Sequence, residues 1–243
     1  MARAAVIVIG GAPPPHGVVA RLPADRYVIA ADSGLDHALA LGLSVDALIG
    51  DLDSVSDAGR RHAERSGMAI HHYPPDKDAT DTELAIELAI SVGCDPVIGV
   101  TGGGERLDHA LGALLAFASP EYARVRVEVH WEAQHVAVVH GPGRLDLGTV
   151  AHGAIVSLIP VHGGAVEVST TGLAYPLDHE ALPAGTSRGI SNVGIGTPAT
   201  VSISLGTLLV ISPTPGPPAP AEPEPAEPAT PAEPATPAEP GGS

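Results

Sequence analysis

The first 120 residues alternate short apolar segments with amphipathic ones, and this alternation restricts the possible folds more than any other feature of the chain. Strands that alternate with helices favour a mostly parallel sheet with helices on its faces. Buried strands are predicted at residues 6–9, 27–31, 47–49, 68–72 and 96–100. We therefore predict a Rossmann-like α/β domain over residues 1–122.

The second half of the chain follows a different pattern. Between residues 125 and 211, short runs with a period of two alternate with glycines, and no helical pattern stands out. Examples of these predicted strands are residues 125–130, 136–139, 154–159, 166–169, 200–204 and 207–211. Short strands at regular spacing, with Gly and Pro turns, favour an all-β sandwich or barrel. We predict a β-sandwich over residues 123–212. Residues 213–243 repeat Pro, Ala and Glu and contain no Val, Ile, Leu, Met or aromatic residue, so we expect a disordered tail there.

Composition excludes several classes of function. The net charge of −16 leaves no basic face that could neutralise nucleic-acid phosphates or an anionic membrane. The single cysteine cannot form an internal disulfide or a cysteine-rich zinc site. No apolar run reaches the ~18 residues that a membrane span requires. We expect a cytoplasmic protein without a nucleic-acid or membrane partner.

Two aspartates follow the apolar run at 47–49, in the segment Gly50-Asp51-Leu52-Asp53-Ser54. Alternate residues at the end of a strand point the same way, so Asp51 and Asp53 are expected to converge on one point. Paired carboxylates repel each other unless a positive charge joins them, and Mg²⁺ prefers such oxygen ligands. A solvated turn is the alternative, because Asp and Ser are common turn residues.

Further acidic residues fall at the same edge of the predicted sheet. Asp32 ends the second strand, Asp78 and Asp81 precede a helix, and Asp108 lies one turn into the next helix. Thr80 or Asp81 is the predicted N-cap of the first of these helices, and Glu83 stands where a capping box from Thr80 requires it. The carboxyl ends of parallel strands form one rim, where α/β sheets bind ligands. Because Mg²⁺ takes one or two carboxylates together with substrate phosphates, this acidic rim favours a complex of a nucleotide with Mg²⁺.

A glycine-rich turn, Thr101-Gly102-Gly103-Gly104, leads into the last predicted helix of the first half. Glycines let a backbone approach phosphate closely, and a helix N-terminus offers free N–H groups to an anion. The turn lacks the Lys-Ser/Thr pair of a P-loop. Lys77 and Arg106 flank the acidic residues, either as phosphate ligands or as solvated counter-charges. His109 is either an acid or base, or a structural or stacking group.

These motifs together resemble one family. The matching segments are Ala31-Asp32-Ser33-Gly34, Gly50-Asp51-Leu52-Asp53-Ser54, Asp76-Lys77-Asp78-Ala79-Thr80-Asp81, Gly102-Gly103-Gly104-Glu105-Arg106-Leu107-Asp108-His109, Thr171-Gly172-Leu173-Ala174-Tyr175-Pro176-Leu177 and Gly185-Thr186-Ser187-Arg188-Gly189-Ile190-Ser191-Asn192. In order and spacing, over roughly residues 4–211, the chain resembles the thiamine pyrophosphokinase family.

The resemblance implies a catalytic α/β domain, a thiamine-binding β-sandwich, and a homodimer that holds thiamine between the two subunits. The implied reaction moves the terminal diphosphate of ATP to the hydroxyl of thiamine and releases AMP. The residues implied in catalysis are Asp51, Asp53, Asp78 and Asp81, of which the first three hold Mg²⁺. Those implied to bind ATP or support the site are Asp32, Lys77, Thr101, Gly102, Gly103, Arg106, Asp108 and His109. Ser191 and Asn192 are implied to contact the thiamine pyrimidine.

Three positions depart from the family pattern: Leu52 stands where Phe is frequent, Ala113 where Asn is common and Val193 where Glu is frequent. The departures at Ala113 and Val193 affect the inferred substrate more than the inferred fold. Two alternatives therefore stay open, a related diphosphokinase that acts on a hydroxymethyl-pterin and a non-catalytic sensor of thiamine or nucleotide. The aspartate that would accept the hydroxyl proton also stays open.

Overall fold

The computed structural model of the chain describes residues 2–74, 76–104 and 106–214. The first half alternates strands and helices in the predicted order. Its elements are β1 (Ala4–Val8), a 3₁₀ turn (His16–Arg21), β2 (Arg26–Ala31), α1 (Gly34–Ala40), β3 (Ala47–Gly50), α2 (Asp57–Ser66), β4 (Ala69–His72), α3 (Asp81–Ser91), β5 (Val97–Thr101) and α4 (Leu107–Phe117).

The second half is β-rich. After a 3₁₀ turn (Pro120–Tyr122), it contains β6 (Val127–Trp131), β7 (Gln134–His140), β8 (Gly143–Thr149), β9 (Ile155–Thr171), β10 (Glu180–Pro183), β11 (Asn192–Val193), β12 (Pro198–Ile203) and β13 (Leu205–Pro213). The structure thus confirms a parallel α/β part followed by a β-rich part.

Six strands form the parallel part of the sheet, in the order β4–β3–β2–β1–β5–β6. All five residues of β1 are buried, because helices and the first 3₁₀ turn cover both faces of this strand. The chain moves outward from β1 to β4 and then returns to add β5 on the other side of β1. The reversal between β1 and β5 is the switch point at which open α/β sheets form a crevice.

Strand β6 continues the parallel sheet, since Val127 pairs with Val97 and Trp131 with Thr101. The sequence pattern had grouped this segment with the β-rich half. A period of two reports that alternate side chains share a face, and it carries no information about the direction of the neighbouring strand. β7 then pairs antiparallel with β6, so the sheet passes into the β-rich half through this hairpin.

The β-rich half extends the sheet through β7, β13, β9, β12 and β8, with β10 and β11 paired to β9. Its side chains form a second apolar core that includes Leu158, Leu182 and Leu208, each 0% exposed. The sequence predicted separate strands at 154–159 and 166–169, which was wrong. Both segments lie in β9, and Gly163 and Gly164 between them take positive φ where the register against β13 shifts. The sequence reading missed β8, β10 and β11.

The last described residues belong to the sheet. Pro213 pairs with Gln134, and the Thr214 N–H donates to the carbonyl of Ala133 at 3.0 Å. The disorder expected from residue 213 onward therefore does not hold for these two residues, and residues 215–243 lie outside the described part of the chain. In the described ranges, no helix is both long and apolar enough to cross a membrane.

Candidate active site

Three carboxylates meet where the neighbouring strands β2 and β3 end. Asp32 follows β2 directly, and Asp51 and Asp53 follow β3. Each offers an oxygen within 4.8 Å of the others, and we call this group the aspartate cluster. The structure thus brings Asp51 and Asp53 together, as predicted, although through a turn beyond the end of β3, and it adds Asp32. In the described part of the chain, Asp78 is not a member of this group.

The backbone around the aspartate cluster is strained. Asp32 and Leu52 have φ of 48° and 65°, in the left-handed region that side chains other than glycine rarely adopt. Gly50 has φ of 146°, and a Cβ there would lie 3.2 Å from the Cβ of Asp32. Such strain often accompanies functional sites, because it holds side chains where the chemistry requires them. Here it turns the two strand ends toward each other.

Local hydrogen bonds orient the cluster. The Asp53 N–H donates to Asp51 Oδ1 at 3.1 Å, and the Ser54 hydroxyl donates to Asp32 Oδ2. Burial raises the pKa of Asp32, the Ser54 hydrogen bond opposes this shift, and the charges of Asp81, Asp51 and Asp53 raise the pKa further. The other oxygen, Asp32 Oδ1, is buried without a hydrogen-bond partner among the described residues. A cation placed here would satisfy this oxygen and offset the repulsion.

A lysine supplies one positive charge beside the acidic rim. Lys77 Nζ lies 3.0 Å from Asp81 Oδ1 and donates to the carbonyl of Pro74 at 3.4 Å. Asp81 opens α3, whose N-terminus carries the predicted capping box between Thr80 and Glu83. Because the Asp81 charge reaches Asp32, the Lys77–Asp81 pair and the aspartate cluster belong to one electrostatic site.

The glycine-rich turn, which was predicted to approach phosphate, lies against the turn that follows β1. The Gly102 N–H donates to the Ala12 carbonyl at 3.1 Å, the Ala12 N–H donates to the Gly103 carbonyl at 2.7 Å, and the Gly103 N–H donates to Thr101 Oγ1 at 3.1 Å. A Cβ on Gly102 would lie 2.2 Å from the Pro13 carbonyl oxygen. The glycines therefore let the turns after β1 and β5 touch, and the amides of Gly102 and Gly103 are engaged within the protein.

Arg106 and Asp108 neutralise each other at the start of α4. Arg106 Nη2 lies 2.6 Å from Asp108 Oδ2, and Nε lies 3.3 Å from Oδ1. The Arg106 hydrogen bonds lower the pKa of Asp108 to about 2. Both side chains are exposed, as is His109. In this arrangement the Arg106 guanidinium is bonded to Asp108, and it has to leave this partner in order to bind a phosphate.

A polar pocket of about 430 Å³ opens in the β-rich half, and Ser191 and Asn192 line it. Asn192 is 3% exposed. Its Oδ1 accepts from the N–H groups of Tyr175 at 3.0 Å and Val193 at 2.9 Å, and its Nδ2 donates to the Tyr175 carbonyl at 2.6 Å. The Asn192 amide thus joins the Tyr175 loop to the start of β11. Ser191, in contrast, is exposed and has a φ of 58°.

Sequence reasoning assigned no role to a charged pair beside this pocket. Arg188 lines the pocket and forms two hydrogen bonds with Glu180, at 2.7 and 3.0 Å. Arg188 lies in a family-like segment, Ser187-Arg188-Gly189, which was the only signal in the sequence. Glu180 lies in β10, a strand that the sequence pattern did not reveal. The exposed ring of Tyr175 lies at the same pocket.

Carboxylates that converge at the end of a parallel sheet, with a lysine beside them, suit the binding of a phosphate ligand together with a divalent cation. Residues 21–129 match the family model described as the catalytic domain of thiamin pyrophosphokinase. Residues 145–208 match the model of its vitamin B1 binding domain. The chain belongs to the thiamin pyrophosphokinase family, which confirms the family inferred from the motifs, and it is an enzyme.

Relatives cover nearly the whole described chain. A thiamine pyrophosphokinase of Bacillus subtilis (strain 168) is 30% identical over 188 residues, which are 76% of this chain and 86% of that protein. The crystal structure of thiamine pyrophosphokinase from Bacillus subtilis has a TM-score of 0.77 at 25% identity, covering 87% of this chain and 99% of that one. The structure of thiamin pyrophosphokinase from Geobacillus thermodenitrificans has a TM-score of 0.73 at 27% identity, covering 87% and 97%.

Proposed function

We propose that this chain acts as a thiamine diphosphokinase, transferring the terminal diphosphate of ATP to the hydroxyl of thiamine and releasing AMP. The observation that carries the chemistry is the aspartate cluster, with its buried and unpartnered Asp32 oxygen. Transfer of a phosphoryl-type group depends mainly on positioning and charge stabilisation. Carboxylates gathered at one edge of the sheet, together with a bound cation, supply both the positioning and the charge stabilisation.

We propose that the cation is Mg²⁺. The donor set fits, because all three members of the cluster offer carboxylate oxygens, which hard cations prefer. Asp51 and Asp53 are the proposed ligands, Asp32 belongs to the same cluster, and Asp78 remains proposed as a third ligand from the family motif. When bound, Mg²⁺ supplies neutralisation of the phosphate charge.

The remaining residues of the rim position and activate the substrates. Lys77 is proposed to turn from Asp81 toward a phosphate oxygen, since an ammonium group can exchange one anionic partner for another. Asp81 is then free to act on the thiamine hydroxyl, although Asp32, Asp51 and Asp53 offer the same chemistry. Arg106, Asp108, His109 and the turn at Thr101, Gly102 and Gly103 are proposed to border the nucleotide.

We propose that the pocket at Ser191 and Asn192 receives thiamine, with Ser191 facing the pyrimidine and Asn192 shaping the wall. Two exposed side chains at the pocket, Tyr175 at 62% and Ile190 at 48%, are available for a second subunit. We propose a homodimer in which the pocket of one subunit faces the aspartate cluster of the other. The pocket and the cluster lie in different halves of the chain.

The same proposal assigns tasks to the two halves. Residues 1–122 are proposed as a Rossmann-like catalytic domain and residues 123–212 as a β-sandwich that binds thiamine. The two family models, at 21–129 and 145–208, support this division of work. Consistent with ATP as the phosphate donor, we keep the cytoplasmic location that the sequence predicted.

One assay tests the reaction. Purified full-length protein with ATP, Mg²⁺ and thiamine is expected to release AMP and thiamine diphosphate in equal amounts, measured by chromatography. Release of ADP would contradict diphosphate transfer. Turnover with a hydroxymethyl-pterin and none with thiamine would favour the related diphosphokinase, and binding of thiamine without turnover would favour a sensor.

A stability measurement tests the metal site without depending on turnover. Because the pKa of Asp32 is raised, ionised Asp32 costs stability, and this cost grows as the pH rises from the ordinary aspartate value through the raised one. Asp32→Asn is therefore expected to raise the free energy of unfolding at pH 7 without metal. Mg²⁺ at one hundred times its Kd stabilises the native chain by about 2.7 kcal/mol, and the variant by less. Equal stabilisation of both chains, measured in urea, would remove Asp32 from the metal site.

A further inference from the structure

The end of β6 brings a glutamate to the rim, a residue to which neither the motifs nor the family models assign a role. Glu132 directly follows β6, and its N–H donates to the Thr101 carbonyl at 3.0 Å. Its φ is 54°, so the backbone turns sharply here into the hairpin that leads to β7. Because β5 and β6 are parallel, Glu132 and the glycine-rich turn lie at the same edge of the sheet.

The Glu132 carboxylate lies directly against the glycine-rich turn. A Cβ on Gly103 would lie 2.4 Å from Glu132 Oε1 and 3.2 Å from the indole nitrogen of Trp131. Gly103 is buried, whereas Glu132 itself is exposed. Among the described residues, no hydrogen bond or ion pair engages this carboxylate, so its acceptor oxygens are available to a ligand.

The unit formed by β5, α4 and β6 arranges two features that nucleotide-binding folds combine. A glycine-rich turn follows its first strand, and an acidic residue stands at the end of its second strand. In such units, a carboxylate in this place accepts hydrogen bonds from ribose hydroxyls. The amides of Gly102 and Gly103 are already bonded, and a negative charge beside them repels phosphate. This end of the rim therefore suits a nucleoside better than its phosphates.

The spacing of the strands along the rim agrees with a nucleotide whose nucleoside lies at Glu132 and whose phosphates extend toward the aspartate cluster. Three strand intervals separate β2, which carries Asp32, from β6, which carries Glu132. At about 4.8 Å per interval, the two residues are on the order of 14 Å apart. An extended ATP spans such a distance with its terminal phosphates near the aspartate cluster and its ribose near Glu132.

We propose that Glu132 is a specificity-determining residue of the nucleotide site, where its carboxylate accepts hydrogen bonds from the ribose 2′- and 3′-hydroxyls of ATP. This inference rests on the proposed function, because it takes ATP as the substrate. It adds the direction in which ATP lies along the rim and a preference for ribonucleotides over deoxyribonucleotides.

The test compares Glu132→Gln with the native full-length chain. Glutamine keeps the shape over Gly103 and removes the charge, so the KM for ATP is expected to rise about tenfold, the scale of a weakened hydrogen bond to a charged group. The kcat and the KM for thiamine are expected to stay within about twofold. The preference for ATP over 2′-deoxyATP and 3′-deoxyATP, measured as a ratio of kcat/KM, is expected to fall toward one.

Glu167→Gln is the matched control, because Glu167 is also exposed and also has a left-handed backbone, with φ of 53°. It is expected to keep the native preference. An unchanged deoxynucleotide ratio in Glu132→Gln would overturn the proposal, as would a change confined to the discrimination between ATP and ITP. If the native chain makes no AMP from ATP and thiamine, the proposed function fails. Calorimetric binding of AMP to the native chain and the variant then decides the role of Glu132 separately.

Discussion

We expect Asp51→Asn and Asp53→Asn each to reduce the formation of AMP and thiamine diphosphate by about two to three orders of magnitude, while the chain stays folded. The fold is retained because the two side chains are half-buried and exposed, and asparagine has the same shape as aspartate. Activity is lost because a neutral amide contributes no charge to hold a cation against the transferring group. Removing a single electrostatic element from an active site costs about 10²–10³ in rate.

The control for these two variants is an aspartate in the β-rich half that accepts a hydrogen bond from the backbone N–H two residues later. Asp146 Oδ1 accepts from the Gly148 N–H at 2.8 Å, just as Asp51 Oδ1 accepts from the Asp53 N–H. Asp146→Asn therefore removes the charge of an aspartate that accepts the same kind of backbone hydrogen bond, here in β8, and it is expected to retain native kcat. Turnover is measured at saturating ATP and thiamine, and folding by thermal unfolding. Near-native activity in both cluster variants would show that the metal assignment is wrong.

Asn192→Ala is expected to lower the free energy of unfolding by about 2–4 kcal/mol and to raise the KM for thiamine at least tenfold. The reason lies in the buried amide, which joins the Tyr175 loop to the start of β11 through three hydrogen bonds. Alanine leaves the N–H and the carbonyl of Tyr175 without these partners. The pocket wall then loses its shape, while the aspartate cluster in the other half keeps the KM for ATP near its native value.

Stability in urea and the two KM values separate a structural role from direct contact with substrate. Gln134→Ala serves as a control, because Gln134 is an exposed amide at the start of β7. It is expected to change the free energy of unfolding by less than about 0.5 kcal/mol. If Asn192→Ala instead kept full stability and lost only thiamine binding, the amide would contact thiamine directly, as the family resemblance implied.

Features that depend on near neighbours in the sequence were predictable. The apolar runs marked the strands of the first half, and the capping box at Thr80 placed the start of α3 within a residue. The two-residue period of a strand predicted the convergence of Asp51 and Asp53. The structure reaches it through a turn, in which Leu52 is left-handed and the Asp53 N–H donates to Asp51 Oδ1. The family motifs then identified the class of enzyme, and their roles for Asp78, Lys77 and Asp81 stay predictions.

Features that depend on pairing between distant segments were not predictable. The parallel direction of β6, the continuity of β9 across Gly163 and Gly164, and the contact of the glycine-rich turn with Ala12 each join residues far apart in sequence. Hydrophobic periodicity indicates which side of a strand or helix is buried. It carries no information about which other element packs or pairs with it. The same limitation hid Glu132, whose place over Gly103 exists only because β5 and β6 are neighbours.

By itself, the sequence determined the order of strands and helices in the first half, the family, and the positions of the carboxylates at strand ends, because these follow from short-range periodicity and motif spacing. Only the tertiary structure decided which carboxylates share a point. It placed Asp32 with Asp51 and Asp53 because β2 and β3 are adjacent in the sheet. It also showed that the Asn192 amide bonds the backbone of Tyr175 at the pocket. A buried polar group needs hydrogen-bond partners inside the protein, and only the fold determines which groups are near enough.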